Sequence, residues 1–467
     1  MPVTRPNPEK LASVLKNVSA PVARFIIKEI EVNRRRGMDE PIYDMVLSSV
    51  RGVIQDSGEK LDRVQTPKRL FCSFFEEYLV DRTLSRAQKG RINRSSIEPI
   101  WDWLTSGWGP ENLSGIVTKL EIELKRNNPR GAAALAQELC SRAAIAIRRG
   151  VSFIQGDAKE QRRLAARLGG AGVLRDAVQI QRILSNMSAL AKIRGALPQS
   201  VVLKNDEQVV HLVGVLREGV TNIKAHPELP IALMIGRLNP PIDITRIVIQ
   251  ALGMREGSRI APTPFGPAID LLIYDMGLLG LEISECIRTK KGVAPTLYWL
   301  SRLHEYSTEL MDRIEISLKS DWGEELLNVR NLVSADLSAE ISQVPINLKQ
   351  LYRRRPNFQE DSALRVPDQM AVFEVMQGLS LTVGCRPYLD QLSLNQVINS
   401  TDTEVRRFLR VVSDALLNDV RATKGAQQQC VLKWFDTVVQ FNNVIFGEED
   451  SKLLARAGQV ASKAQAS

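Results

Sequence analysis

A chain of 467 residues with 44% hydrophobic and 25% charged side chains has apolar material for a packed core, which excludes global disorder. Three histidines and five scattered cysteines offer no closed metal-ligand spacing and no nucleophile–base motif, so no cofactor, metal or catalytic residue is expected. The formal net charge of +9 is uneven: residues 111–200 hold 15 Lys/Arg against 7 Asp/Glu, and residues 301–467 hold 19 against 22.

Apolar residues recur at spacings of three and four almost everywhere, without sustained two-residue alternation, which predicts an all-α protein. Near the start, Ser13-Val-Leu-Lys16 has the serine–lysine spacing of some acyl-transfer enzymes, but the companion motifs are missing and the match reads as chance. Val22 to Val32 places Val22, Phe25, Ile26 and Ile30 on one helical face and ends at Arg34-Arg35-Arg36-Gly37, cations followed by glycine. Glu40 to Gln55 repeats the pattern with Ile42, Met45, Val46, Val50 and Val53. Ser95 with Glu98, Asp157 with Glu160, Asp321 with Glu324 and Thr401 with Glu404 have the capping-box spacing of helix starts.

Trp101, Trp103 and Trp108 cluster before Gly109-Pro110. On a helix, 101 and 108 align two turns apart; they are expected to be buried, and an exposed one would anchor a partner. Gly169-Gly-Ala-Gly172 follows a helical run and lacks the lysine and Ser/Thr of a phosphate loop, so it reads as a helix–helix turn. His211 reads as a core-edge histidine, and His304 lacks the second histidine of a zinc motif. The run Ile260-Ala-Pro-Thr-Pro-Phe-Gly-Pro267 is the sharpest break. After it, Ala268 to Ile287 carries Asp270, Asp275, Glu282 and Glu285, which excludes an ordinary membrane-spanning helix. A paired acid/base site on Asp275 and Glu282 ranks below a role as partners for Arg288, Lys290 and Lys291.

The expected organisation is two or three packed multi-helix units in an irregular bundle or array, without a regular repeat. Residues 1–110 form an N-terminal unit, 111–200 a basic unit, 201–260 connecting helices, 261–450 a C-terminal unit and 451–467 a frayed tail. The odd, dispersed cysteines and the absence of an apolar leader in Met1 to Lys10 point to reduced thiols and a cytoplasmic location.

The runs Pro67-Lys-Arg-Leu-Phe-Cys72 with Tyr78-Leu-Val-Asp81, Arg91-Ile-Asn-Arg-Ser-Ser-Ile97 with Pro99-Ile-Trp-Asp-Trp-Leu104, and Arg259-Ile-Ala-Pro-Thr-Pro-Phe-Gly266 resemble segments of an uncharacterised family of proteobacterial cytosolic helical proteins. The resemblance implies a bacterial source and carries no activity.

The basic segment stands above this background. Arg162, Arg163 and Arg167 share one predicted helix, and Arg175 and Arg182 lie seven apart on the next. Such stacked cations suit phosphates or an acidic protein surface. Between residues 111 and 200 the one aromatic is Phe153, so bases would have no stacking platform. The leading expectation is therefore a non-catalytic scaffold, adaptor or regulatory protein that binds a protein partner, acidic in character, through helix faces. The alternative is a nucleic-acid-associated protein using the basic 119–194 face, and an enzyme of unrecognised type comes third. Oligomeric state is left open by the sequence.

Overall fold

The computed structural model describes residues 18–19, 22–23, 25–27, 29–30, 46, 65–153, 156–356 and 364–463. Ser13–Lys16, Arg34–Gly37 and all of Glu40–Gln55 except Val46 lie outside the described residues. The chain divides into two compact units, 1–71 with 115–137, and 72–114 with 138–467.

The all-α expectation holds. The helices are α1 (Pro67–Ser73), α2 (Ile97–Thr105), α3 (Ser114–Lys125), α4 (Pro129–Phe153), α5 (Ala158–Leu168), α6 (Ala171–Ser185), α7 (Met187–Ala196), α8 (Asp206–Asn222), α9 (Glu228–Ile235) and α10 (Ile244–Leu252). They continue with α11 (Gly266–Arg288), α12 (Val293–Arg313), α13 (Asp321–Arg353), α14 (Gln369–Gly384), α15 (Asn395–Ala422), α16 (Gly425–Phe446) and α17 (Glu448–Lys463). Short 3-10 and one-turn helices lie between them. Among the described residues the strands are two-residue pieces, β1 (Leu79–Val80) and β2 (Ile92–Asn93), paired in parallel with Leu79 opposite Ile92.

In the smaller unit, Asn128 fixes the turn between α3 and α4: its side chain accepts from Gly131 N and donates to Glu123. The helical stretch near residue 22 buries Ala23, Ile27 and Ile30, while Val22 and Phe25 are exposed at 47% and 64%. This corrects the predicted face. The apolar residues there spread over a wide arc of the helix, and the pattern alone does not say which part of that arc faces inward.

In the larger unit, α9 is apolar at nearly every position and buried along its whole length, Glu228 included. Beside it, Glu77 accepts from Arg194 (Nη2–Oε2 2.8 Å) and Arg237 (Nη2–Oε1 3.0 Å). Arg237 also donates to the carbonyls of Arg194 and Leu197, so one carboxylate ties the ends of α7 and α9 to the turn before β1. The Cβ of an alanine at Gly236 would lie 2.7 Å from Glu77 Cβ, so this approach requires glycine.

Farther along, α13 packs against α11, α14 and α15. Its second half joins α14, α15 and α16 around Leu348, Leu409, Trp434 and Phe441. The four carboxylates of α11 serve different partners. Asp270 accepts from Trp322 Nε1 at 2.6 Å, Asp275 pairs with Arg91, and Glu282 and Glu285 face Arg82, with Glu285 also on Arg288. No described helix is long and apolar enough to cross a membrane. Residues 451–463 continue α17, in which Ser451, Gly458 and Ala461 are buried, with Gly458 set close to Phe435 of α16.

Candidate interaction surface

The arginine face is built on α5 and α6, with the C-terminal half of α4 and the segment after α2 behind it. Asp157 starts α5 by accepting from Lys159 N (2.9 Å) and Glu160 N (3.1 Å), as its spacing with Glu160 predicts. Gly169, at φ 100°, closes the helix, and Gly170 N returns to Ala165 O at 2.7 Å. The Gly169–Gly172 run is thus a helix–helix turn that leads into α6.

Arg162, Arg163, Arg167 and Arg175 are all exposed, and Arg182 is half-buried. Arg163 meets Glu160 at 2.6 Å, and Arg162 Nε donates to Ala158 O of its own helix. The Arg167 guanidinium sits 4.4 Å from the centre of the Trp108 ring, within cation–π range. Trp108 lies in turn with Trp103, their ring centres 6.4 Å apart. Trp103 is fully buried, and Gly150 of α4 lies against it so closely that an added Cβ would fall 2.6 Å from Cζ2. Indole, indole and guanidinium therefore form one ladder from the interior to the surface.

One expectation about the tryptophans holds and one needs correction. Trp101 is 9% exposed, buried as expected, and so is not the exposed ring that would anchor a partner. Helix α2 ends at Thr105 and Gly107 turns at φ 80°, so Trp108 stands off the helix and the spacing of seven from Trp101 does not align them. The face also includes residues that sequence reasoning did not single out. Glu111 accepts from Arg142 (3.0 Å) and faces Arg149 (3.8 Å), and Arg148 donates to Ser185 Oγ. The signal for the first pair was present: Arg142 and Arg149 are seven apart on α4 and so share its face.

Carboxylates are the minority in the same region. From 138 to 185 there are nine Lys/Arg and four Asp/Glu. Asp157 is engaged by helix-start amides, while Asp176 accepts from Ser96 Oγ (2.6 Å) and Asn93 N (3.1 Å). Burial raises the Asp176 pKa above the usual carboxylate value, against those hydrogen bonds and Arg175, which lower it. Among these four acids, Glu160 is the one that neutralises an arginine of α5, so the surface remains strongly cationic.

The three histidines do not converge on this face or on one another. His211 is exposed on α8, not at the core edge; His226 lies 3.3 Å from Glu228; His304 faces Gln391. Among the described residues, no three His, Cys, Asp or Glu side chains come together as a metal site. Comparison of the chain with family models, with curated proteins and with solved structures finds no match in any of the three.

Proposed function

We propose that this chain is a non-catalytic docking protein of the cytoplasm that binds an acidic protein partner through the arginine face of α5 and α6. The observation that carries this reading is the outward set Arg162, Arg163, Arg167 and Arg175, of which Arg163 is ion-paired with Glu160. Guanidinium groups are weakly hydrated forks that pair carboxylates bidentately, which suits a protein surface rich in Asp and Glu. Trp108 favours a protein over single-stranded nucleic acid. Its face is already covered by Arg167, so it offers bases no open platform.

The test compares two probes on the full chain at physiological salt: fluorescent poly-glutamate and a random-sequence duplex. The expected result is saturable, salt-sensitive binding of poly-glutamate and weak duplex binding. Converting Arg162, Arg163, Arg167 and Arg175 together to Gln should weaken the former by at least tenfold with helicity unchanged. Affinity capture from the native cytosol should then recover a nuclease-resistant protein partner. Tight duplex binding whose salt slope falls by about 0.9 per lost arginine contact would establish the nucleic-acid alternative instead.

A further inference from the structure

A second site lies far along the chain and owes nothing to the arginine face. Helices α12 and α13 both pack on α11, and between them runs a cavity of about 390 Å³ floored by Met276. That volume lies in the range of small-molecule sites, which are mostly apolar with a few fixed polar groups. The cavity has this composition. Toward the loop joining α12 to α13 it is lined by Met311, Ile316, Leu318, Leu326 and Leu327, of which Met311, Leu318 and Leu327 are exposed at 43%, 71% and 42%.

The opposite end is polar. There Arg330 of α13 and His304 of α12 meet the one-turn helix Leu389–Leu392. His304 Nδ1 and the side-chain amide of Gln391 are hydrogen-bonded to each other. Arg330 Nη2 donates to Ser393 Oγ, and its Nε is buried without a hydrogen-bond partner. No described carboxylate pairs with this guanidinium. A half-buried guanidinium with no carboxylate beside it is unfavourable unless an anion balances its charge. The acid among the lining residues, Asp312, is exposed near the loop end, away from Arg330 along α12.

We infer that this trench binds a single-chain anionic amphiphile, its carboxylate on Arg330 and its hydrocarbon tail along α12 toward Met311 and Leu318. From His304 to Met311 the helix rises about 10 Å, at 1.5 Å per residue, which suits a medium-length acyl chain. Charge decides the ligand class. An uncharged or cationic amphiphile would bury the same tail and leave the guanidinium unpaired.

The experiment is calorimetric titration of the full chain with decanoate, decanol and decyltrimethylammonium, each below its micellar range. One equivalent of decanoate should bind, at least tenfold tighter than either comparison ligand. Arg330→Gln should erase that preference, bringing decanoate to the affinity of decanol in the same variant, and Ser307→Trp, which fills the trench, should abolish uptake of all three. The wild-type comparison of three ligands decides the matter even if a variant fails to fold. Equal affinity for the cation, non-saturating uptake, or no binding at all would overturn the inference, and so would a folded Ser307→Trp chain that binds as before.

Discussion

Arg91 and Asp275, 184 residues apart in sequence, form a bidentate pair: Arg91 Nε donates to Asp275 Oδ1 at 2.8 Å and Nη2 donates to Oδ2. The arginine side chain is 5% exposed and the aspartate 26%. This contact holds the residue before β2 to the middle of α11. Asp275→Ala strands a buried guanidinium, and chemical denaturation should show a loss toward the lower end of about 3–5 kcal/mol, given the partial exposure of the carboxylate. The double change Arg91→Met with Asp275→Leu should recover most of it. A double variant as unstable as the single would show that the pair is not the cause.

Two glycines should respond to alanine with opposite signs. Intrinsic helix propensity favours alanine over glycine by about 0.8–1.0 kcal/mol at any helix interior. At Gly214 of α8, which is exposed with nothing within 4 Å of the added Cβ, Gly214→Ala should stabilise by about 0.5–1 kcal/mol. At Gly150 the same Cβ would meet the Trp103 ring, which is buried and has no room to move. Overpacking should win there, with a net loss of about 1–3 kcal/mol. Thermal melts of the two variants check the pair.

Thiol reactivity should separate the cysteines. Burial pushes the Cys140 and Cys385 thiols up to about 12, and it raises Cys286 and Cys430 as well. Since the thiolate is the nucleophile, these four should react slowly with an aromatic disulfide reagent in the native chain. Cys72, which is half-exposed, should be the one fast site, and all five should react in denaturant. Rapid labelling of Cys140 in the native state would contradict its packing.

Asp176 should give an inverted pH effect. Its folded pKa lies above the unfolded value, so the folded state holds that proton more tightly. The resulting stability is fully present below the unfolded value, about 3.9, and is lost as pH rises through the folded value. Asp176→Asn cannot titrate. The wild-type stability minus that of Asp176→Asn should therefore fall with rising pH across this window, and a rise would reverse the assignment.

Helix content was legible in the sequence because the three-four period is local, whereas helix boundaries were legible only in part. Asp157 caps α5 as its spacing with Glu160 indicates. One residue of slippage separates Asp321 from the observed cap, Ser320, whose side chain accepts from Gly323 N. The start of α2 uses a different residue: Asn93 accepts from Ser95 N, and a 3-10 turn leads into the helix. Thr401 and Glu404 lie inside α15. The spacing misleads because residues three apart share a face anywhere on a helix, so a polar residue followed by glutamate also arises inside one. The cationic face could be read because its arginines are neighbours in sequence. Its ladder through Trp103 and Trp108, and the trench with His304 and Arg330, draw on separate elements and leave no spaced signature.

Helix α13 extends about 50 Å over its 33 residues, at 1.5 Å per residue, and serves both the trench and the C-terminal core. Pro345 lies inside it and has no amide hydrogen, so the carbonyl of Ile341 loses its usual donor. The ladder of backbone bonds is therefore cut between the stretch that carries Arg330 and the stretch that carries Leu348. In hydrogen exchange this single continuous rod should behave as two protection blocks that meet at Pro345. Occupancy of the trench would slow exchange in the first block and leave the second at its own rate.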